Sequence, residues 1–215
     1  MPDLDFQIID AEPLPFAAAP TMLFKARIGN RIEGEQIQSI MLRVQIRIEV
    51  TRRRYDAATE ARLVELFGEP ERWGETLRSL LWTHSSAIVP RFEQSVVAEL
   101  PVACTYDFEV AGAKYFYALE DGDVPLLFLF SGTVFYSDGG SLQIAQSPWD
   151  KEALFRLPVR AWREMMDGFF PNSAWLRIRK DTFDRLYDYR ARRGLATWEA
   201  TIEDLLKRST AEVER

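Results

Sequence analysis

The segment Ile40–Val50, IMLRVQIRIEV, alternates without a break. Ile40, Leu42, Val44, Ile46, Ile48 and Val50 fall on one side, and Met41, Arg43, Gln45, Arg47 and Glu49 on the other. A helix would scatter these residues around its axis, whereas a strand sorts them onto two faces. The segment therefore predicts a half-buried strand of an antiparallel sheet, with Arg43 and Arg47 turned to solvent or to a partner.

The same rhythm continues on both sides. Upstream, TMLFKARIG sets Met22, Phe24, Ala26 and Ile28 against Lys25 and Arg27, and GNRIEGE reads as a turn. The first twenty residues hold four prolines and read as an extended edge segment. Downstream, strands are expected at Ser85–Val89, Gln94–Leu100 and Val102–Val110. AGAKYFYAL reads as a short helix or an irregular crossover. Val124–Tyr136 is so nearly all apolar that both of its faces are expected to be covered. Asp138-Gly139-Gly140 marks a hairpin turn, with return strands at Leu142–Ala145 and Ala153–Leu157.

Between residues 56 and 82 the period changes. Asp56 can cap a helix carrying Leu63, Val64 and Phe67 that ends at Gly68, and Pro70 can open a second helix with Trp73, Leu77, Leu80 and Leu81 on one stripe. The tail is also helical. Val159, Trp162, Met165, Met166 and Phe169 form one stripe; Asp181 and Thr197 can cap two more helices, the first ending at Gly194. The expected architecture is mainly β with helices (α+β). It comprises an antiparallel immunoglobulin-like β-sandwich core over 1–157, a helical pair inserted at about 56–82, and a C-terminal helical appendage over 158–208 packed on the same domain.

Composition narrows the chemistry. The 215 residues are 47% hydrophobic and 28% charged, which excludes disorder, and prolines, glycines and charges interrupt any apolar run long enough to span a membrane. The N-terminal residues show no secretory or transit signal, and a single cysteine cannot form an internal disulfide, so a cytoplasmic location is expected. With one histidine and one cysteine, no zinc-type metal site is expected and no cofactor either. Cys104 and His84 are the one pair that could form a thiolate nucleophile, but Cys104 alternates with core residues and reads as structural. Glu120, Asp121 and Asp123 read as a solvated turn, Asp107 and Glu109 as an outward strand face, and Gly132 after Ser131 as the mark of a bulge. No phosphate-binding glycine loop or serine-hydrolase elbow is present.

Charge is distributed unevenly. The net charge is −6, which disfavours nucleic acid, yet residues 25–54 carry eight basic groups against three acidic ones. Lys25, Arg27, Arg43 and Arg47, continued by Arg52, Arg53 and Arg54, are expected to line one basic sheet face, free for an acidic protein partner or covered by the chain's own acids. Trp149 and Trp175 lie in irregular stretches and are candidate partner anchors. An alternative reading places a small-molecule pocket between sheet and inserted helices, with His84, Tyr106, Tyr115 and Tyr117 as polar handles. A homo-oligomer built through a sheet edge or the tail helices is a third.

The runs LFGEPERWGETLRSLLWTH, LPVACTYDFEVAGAKYFYALEDGDVPLLFLFSGTVFY and SPWDKEALFRLPVRAWREMMDGFFPNSAWLRIRKDTFDRLYDYR resemble a bacterial family built on a domain of unknown function, found in actinobacteria and some proteobacteria. The resemblance covers nearly the whole chain and carries a loose association with gene neighbourhoods of nickel–iron hydrogenases. It implies an accessory or assembly role for a larger enzyme, and it carries over no catalytic residue to this chain. The expected function is that of a non-enzymatic protein-binding module.

Overall fold

In the computed structural model the alternating segment lies within strand β3 (Gln36–Ile48), and Ile40, Leu42, Val44, Ile46 and Ile48 are all buried. The structure describes residues 2–105, 107, 110–148, 150–173 and 177–213, with side chains through Thr210. β3 is central because both of its edges are taken: β4 (Leu80–Val89) pairs antiparallel on one side and β6 (Asp123–Asp138) on the other. β6 is long enough to serve two further strands in turn. Its first half pairs β8 (Glu152–Pro158) and its second half pairs β7 (Ser141–Gln146). A smaller antiparallel sheet places β2 (Thr21–Asn30) between β1 (Leu4–Pro13) and β5 (Ser95–Ala103).

Aromatic rings join the two sheets. Phe6 of β1 stacks on Phe130 of β6 at 4.4 Å, and Phe24 of β2 meets Phe128 edge-on at 5.1 Å and Phe155 at 6.0 Å. Rings of this size dominate burial energetics, so inner faces that share them are held face to face and the outer faces point away from each other. The sheets also approach at two corners. β4 lies beside β5, where the Ser85 hydroxyl donates to the Pro101 carbonyl at 2.9 Å. β1 lies beside β8, where the Lys151 ammonium donates to Asp3 at 3.0 Å and holds that carboxyl below its ordinary range.

Four helices complete this unit among the described residues: α1 (Ala57–Phe67), α2 (Trp73–Thr76), α3 (Ala111–Ala118) and α4 (Val159–Phe169). The Asp56 carboxylate accepts the Thr59 N–H at 2.7 Å at the start of α1, and the Gly68 N–H bonds back to the Val64 carbonyl at its end. α3 packs on α1 and β4; α4 packs on β1, β2 and β8 through buried Val159, Trp162, Met165 and Met166. The chain divides into two compact units, Met1–Trp175 and Leu176–Arg215, so α4 belongs to the first. The second holds α5 (Lys180–Arg193) and α6 (Trp198–Val213). Gly194 is left-handed at their junction, and the Thr197 hydroxyl accepts the Ala200 N–H at 3.1 Å. Arg190 lies 4.4 Å over the Trp198 ring, and hydrogen bonds from Tyr189, Arg193 and Arg208 draw the Asp204 carboxyl down to about 2.

Five expectations change. Asp181 does not cap α5: the helix starts one residue earlier, after Arg179, and Asp181 sits inside its first turn. The second inserted helix stops at Thr76; Leu80 and Leu81 instead open β4, because the far end of β3 offers unpaired backbone that a strand can satisfy. The strands expected at Gln94–Leu100 and Val102–Val110 are one strand ending at Ala103, which passes through Pro101 because β5 is hydrogen-bonded on one side alone and needs no second donor there. Gly132 marks no bulge: the β3–β6 register runs through it unshifted. It marks close approach, since a Cβ there would sit 2.3 Å from the Met41 carbonyl oxygen. The outer face of β6 is not covered, as Leu127, Leu129 and Phe135 are only half-buried.

Gly132→Ala is expected to destabilise the protein by more than about 1 kcal/mol, because the new methyl meets backbone that cannot rotate away. Gly74→Ala, with open space around it, is expected to stay within about 0.5 kcal/mol. Chemical denaturation of the two variants checks both.

Candidate functional site

The ladder registers define the outer face of the larger sheet row by row. Ile88, Met41, Thr133 and Gln146 form one row across β4, β3, β6 and β7. Ser86, Arg43 and Ser131 form the next, then His84, Gln45 and Leu129. Leu81, Arg47, Leu127 and Leu154 form the fourth, after an irregularity in the β3–β4 ladder that turns Trp82 toward Phe24 and Phe116. Met41, Ile88, Leu81, Leu154 and Ile144 are exposed. This is an apolar surface with a polar centre.

Arg43 is that centre. Its side chain is exposed and makes no ion pair among the described residues. Shallow grooves flank it: one of about 270 Å³ beside Met41, Ser86 and Ile88, and one of about 440 Å³ beside Gln45, His84 and Ser131. Arg47 keeps its charge on the same face while its Nε donates to the Ser79 hydroxyl at 3.0 Å. Arg156 adds a third guanidinium, against the single carboxylate of Glu152. Hydroxyls, an amide and an uncompensated guanidinium on a flat surface suit a carboxylate-bearing partner.

The other expected site residues are dispersed. The single basic face divides, because β2 and β3 belong to different sheets. Lys25 and Arg27 lie on the outer face of the smaller one, away from Arg43 and Arg47. Lys25 is engaged by Glu12 at 2.8 Å and Asp10 at 3.2 Å; Arg27 is exposed between Gln7 and Val97. Arg52 is exposed near Glu49. Arg53 is a tie within the fold. Its side chain is 12% exposed, and its two terminal nitrogens donate to the carbonyls of Asp121 and Asp123, both at 2.7 Å. Trp149, Trp175 and Tyr106 lie outside the described residues.

Cys104 and His84 form no dyad. His84 is exposed on the outer face, whereas Cys104 is buried with its Sγ 3.6 Å from the Val102 carbonyl. Burial pushes the Cys104 thiol up to about 12. Beside it lies a cavity of about 170 Å³ walled by Trp82, Phe116 and Trp162. Ordinary ligand pockets run from roughly 300 to 1,000 Å³. The tyrosines do not join His84. Tyr115 is fully buried and bonds the Tyr55 hydroxyl at 2.8 Å, and since Tyr55 donates its own proton to the Val50 carbonyl at 2.7 Å, Tyr115 is the donor of the pair. Tyr117 is exposed on α3. Among the described residues no group of three or more His, Cys, Asp or Glu could hold a metal ion, and no helix is long and apolar enough to cross a membrane.

Sequence reasoning placed Arg43 and Arg47 together on this face but missed its apolar part. One signal was present: Met41 sits on the arginine side of the β3 alternation. Recognising its neighbour Ile88, and Ile144 and Leu154 elsewhere on the same face, required the strand pairing.

Arg53→Ala is expected to cost about 1–3 kcal/mol by orphaning two carbonyls, and Arg43→Ala to stay within about 0.5 kcal/mol; thermal melts of both variants separate the tie from the free group. A thiol reagent is expected to leave Cys104 unmodified in the native protein near pH 7 and to label it on unfolding. Because the native thiol is raised, the unfolded chain ionises first, so stability is expected to fall as pH climbs from about 9 toward 12 in wild type, with a shallower decline in Cys104→Ala.

No curated protein matches the chain. Among solved structures, a selenomethionine-labelled β-glucosidase from Kluyveromyces marxianus aligns over 72% of this chain and 15% of its own length, at 11% identity and a TM-score of 0.22. A likeness of that size bears on neither fold nor chemistry. The model of a family of unknown function, DUF6084, matches residues 1–214, and the chain belongs to that family.

Proposed function

We propose that the protein is a non-enzymatic protein-binding module whose partner docks on the outer face of the larger sheet. The occupant is a protein segment carrying at least one carboxylate set among apolar side chains. The observation that carries this reading is Arg43: exposed, without an acid on its own chain among the described residues, and bordered by exposed Met41 and Ile88. An arginine ringed by apolar contact area is the composition of an interface hot spot, and three guanidiniums against one carboxylate favour an acidic partner. The resemblance to proteins encoded near nickel–iron hydrogenases adds a setting, in which the module serves assembly of a larger bacterial enzyme in the cytoplasm. With one His and one Cys, it would hold a polypeptide there and not a metal.

A photo-crosslinking residue placed at Ser86, beside Arg43, identifies what occupies the face in the native host. The purified partner is then expected to bind wild-type protein in a salt-sensitive manner. Arg43→Glu and Met41→Asp are each expected to weaken it by roughly thirtyfold or more, and Arg27→Glu on the opposite face to leave it unchanged. A partner whose affinity ignores both substitutions overturns the proposal.

A further inference from the structure

Strand β7 carries an independent surface. It closes a two-residue hairpin: Gly139 and Gly140 both have positive φ, 55° and 82°, and Asp138 and Ser141 flank them in register. Such a turn makes the flanking pair hydrogen-bonded, and antiparallel pairs then alternate. Ser141, Gln143 and Ala145 therefore aim their backbone groups at β6, a parity that continues in the Ser147 N–H donating to the Gly132 carbonyl at 2.8 Å. Leu142, Ile144 and Gln146 aim theirs outward. Among the described residues nothing accepts or donates at that edge.

Free edges are ordinarily protected by charge, proline or cover. The other edges of this sandwich are. β4 lies against β5 and β1 against β8. β1 bears Asp5, Asp10 and Glu12, β5 bears Glu99 and Pro101, and β8 bears Glu152 and Arg156. β7 reads Ser-Leu-Gln-Ile-Ala-Gln, with no charge and no proline, and Leu142 and Ile144 are each 63% exposed.

We infer that β7 pairs antiparallel with β7 of a second copy of this chain, across a twofold axis at Ile144. That register sets Ile144 opposite its own mate and Leu142 opposite Gln146. All three are hydrogen-bonded positions, so every outward N–H and C=O of the three residues finds a partner. Twofold pairing sets the residue on the axis opposite its own copy and brings the strand against itself, which a charged strand resists and an uncharged one permits. The two larger sheets would join into one, with the exposed isoleucines in contact at its centre.

Analytical ultracentrifugation across a wide concentration range tests the pairing, and is expected to show a reversible monomer–dimer equilibrium. Ile144→Lys, which sets two lysines face to face on an exposed strand, is expected to weaken it roughly tenfold or more, with a melting temperature equal to wild type at concentrations low enough that both are monomeric. Arg43→Glu is expected to leave it unchanged, which keeps this interface separate from the docking face. An Ile144→Cys variant gives a second readout. Its mate would lie about 5.5 Å away between Cα atoms, within disulfide reach, so mild oxidation is expected to yield a covalent dimer; the sole native thiol is buried. Ser141→Cys, roughly 20 Å from its mate in this register, is expected to stay monomeric. A wild-type monomer at every concentration, a dimer indifferent to Ile144→Lys, or cross-linking at 141 in place of 144 overturns the inference.

Discussion

The contact between the two inner faces governs what every other residue can do. Phe6 on Phe130 and Phe24 against Phe128 bind the sheets so closely that the parity of each strand is fixed. A one-residue slip of β3 would drive Arg43 and Arg47 into that contact and expose Leu42 and Val44, at the cost of burying charge without a partner. The outer faces are thus made by exclusion: they hold whatever the phenylalanine layer cannot admit. On the smaller sheet the excluded residues are mostly charged, and Lys25 is satisfied locally by Asp10 and Glu12. On the larger sheet they are a mixture of isoleucine, leucine, methionine, hydroxyls and arginine, and Arg43 has no ion-pair partner among the described residues.

Polar groups that the core does admit are tied down. Arg53 spans to the Asp121 and Asp123 carbonyls, and the Tyr115 hydroxyl donates a hydrogen bond to Tyr55, which donates one to the Val50 carbonyl. Burial pushes the Tyr115 hydroxyl well above its usual range. These hydrogen bonds commit the groups to the fold, with the Arg53 Nε alone of them left without a partner among the described residues. Cys104 is the same case with a weaker acceptor. Location in a chain of strong local preferences therefore separates the arginines more sharply than their charge does: Arg53 and Arg43 are ten residues apart, one a structural tie and the other free.

Much of the architecture was legible because its signals are local. The alternation of β3, the cap at Asp56, the stop at Gly68, the diglycine turn and the caps at Thr197 and Gly194 each reside in a few adjacent residues. The errors arose where distant pairing outweighed local pattern. Leu80 and Leu81 fit a helical stripe with Trp73 and Leu77, yet the edge of β3 recruited them into a strand. The apolar run of β6 implied cover on both faces, but its inner residues alone meet the second sheet. The candidate site was half legible. Its arginines were visible in the sequence, whereas the division of Lys25 and Arg27 from Arg43 and Arg47 depends on which sheet each strand joins, and no local pattern records that.

Exposed apolar residues on a folded surface contribute little to the stability of the chain that carries them, so their placement calls for a different account. Were the larger sheet merely a wall of the core, the positions of Met41, Ile88, Ile144 and Leu154 could be polar at no cost to the phenylalanine layer, as the equivalent positions of the smaller sheet largely are. Met41 and Ile88 border a guanidinium that has no ion-pair partner among the described residues, and Ile144 lies on an edge strand without the charges that the other edges carry. Each feature alone is commonplace. Together they bring hydrophobic area, unmatched charge and unpaired backbone to one side of the molecule, while the single thiol and the buried hydroxyls are sealed within. That coincidence of apolar area, charge and open backbone on one sheet is what supports the proposal of a docking surface there.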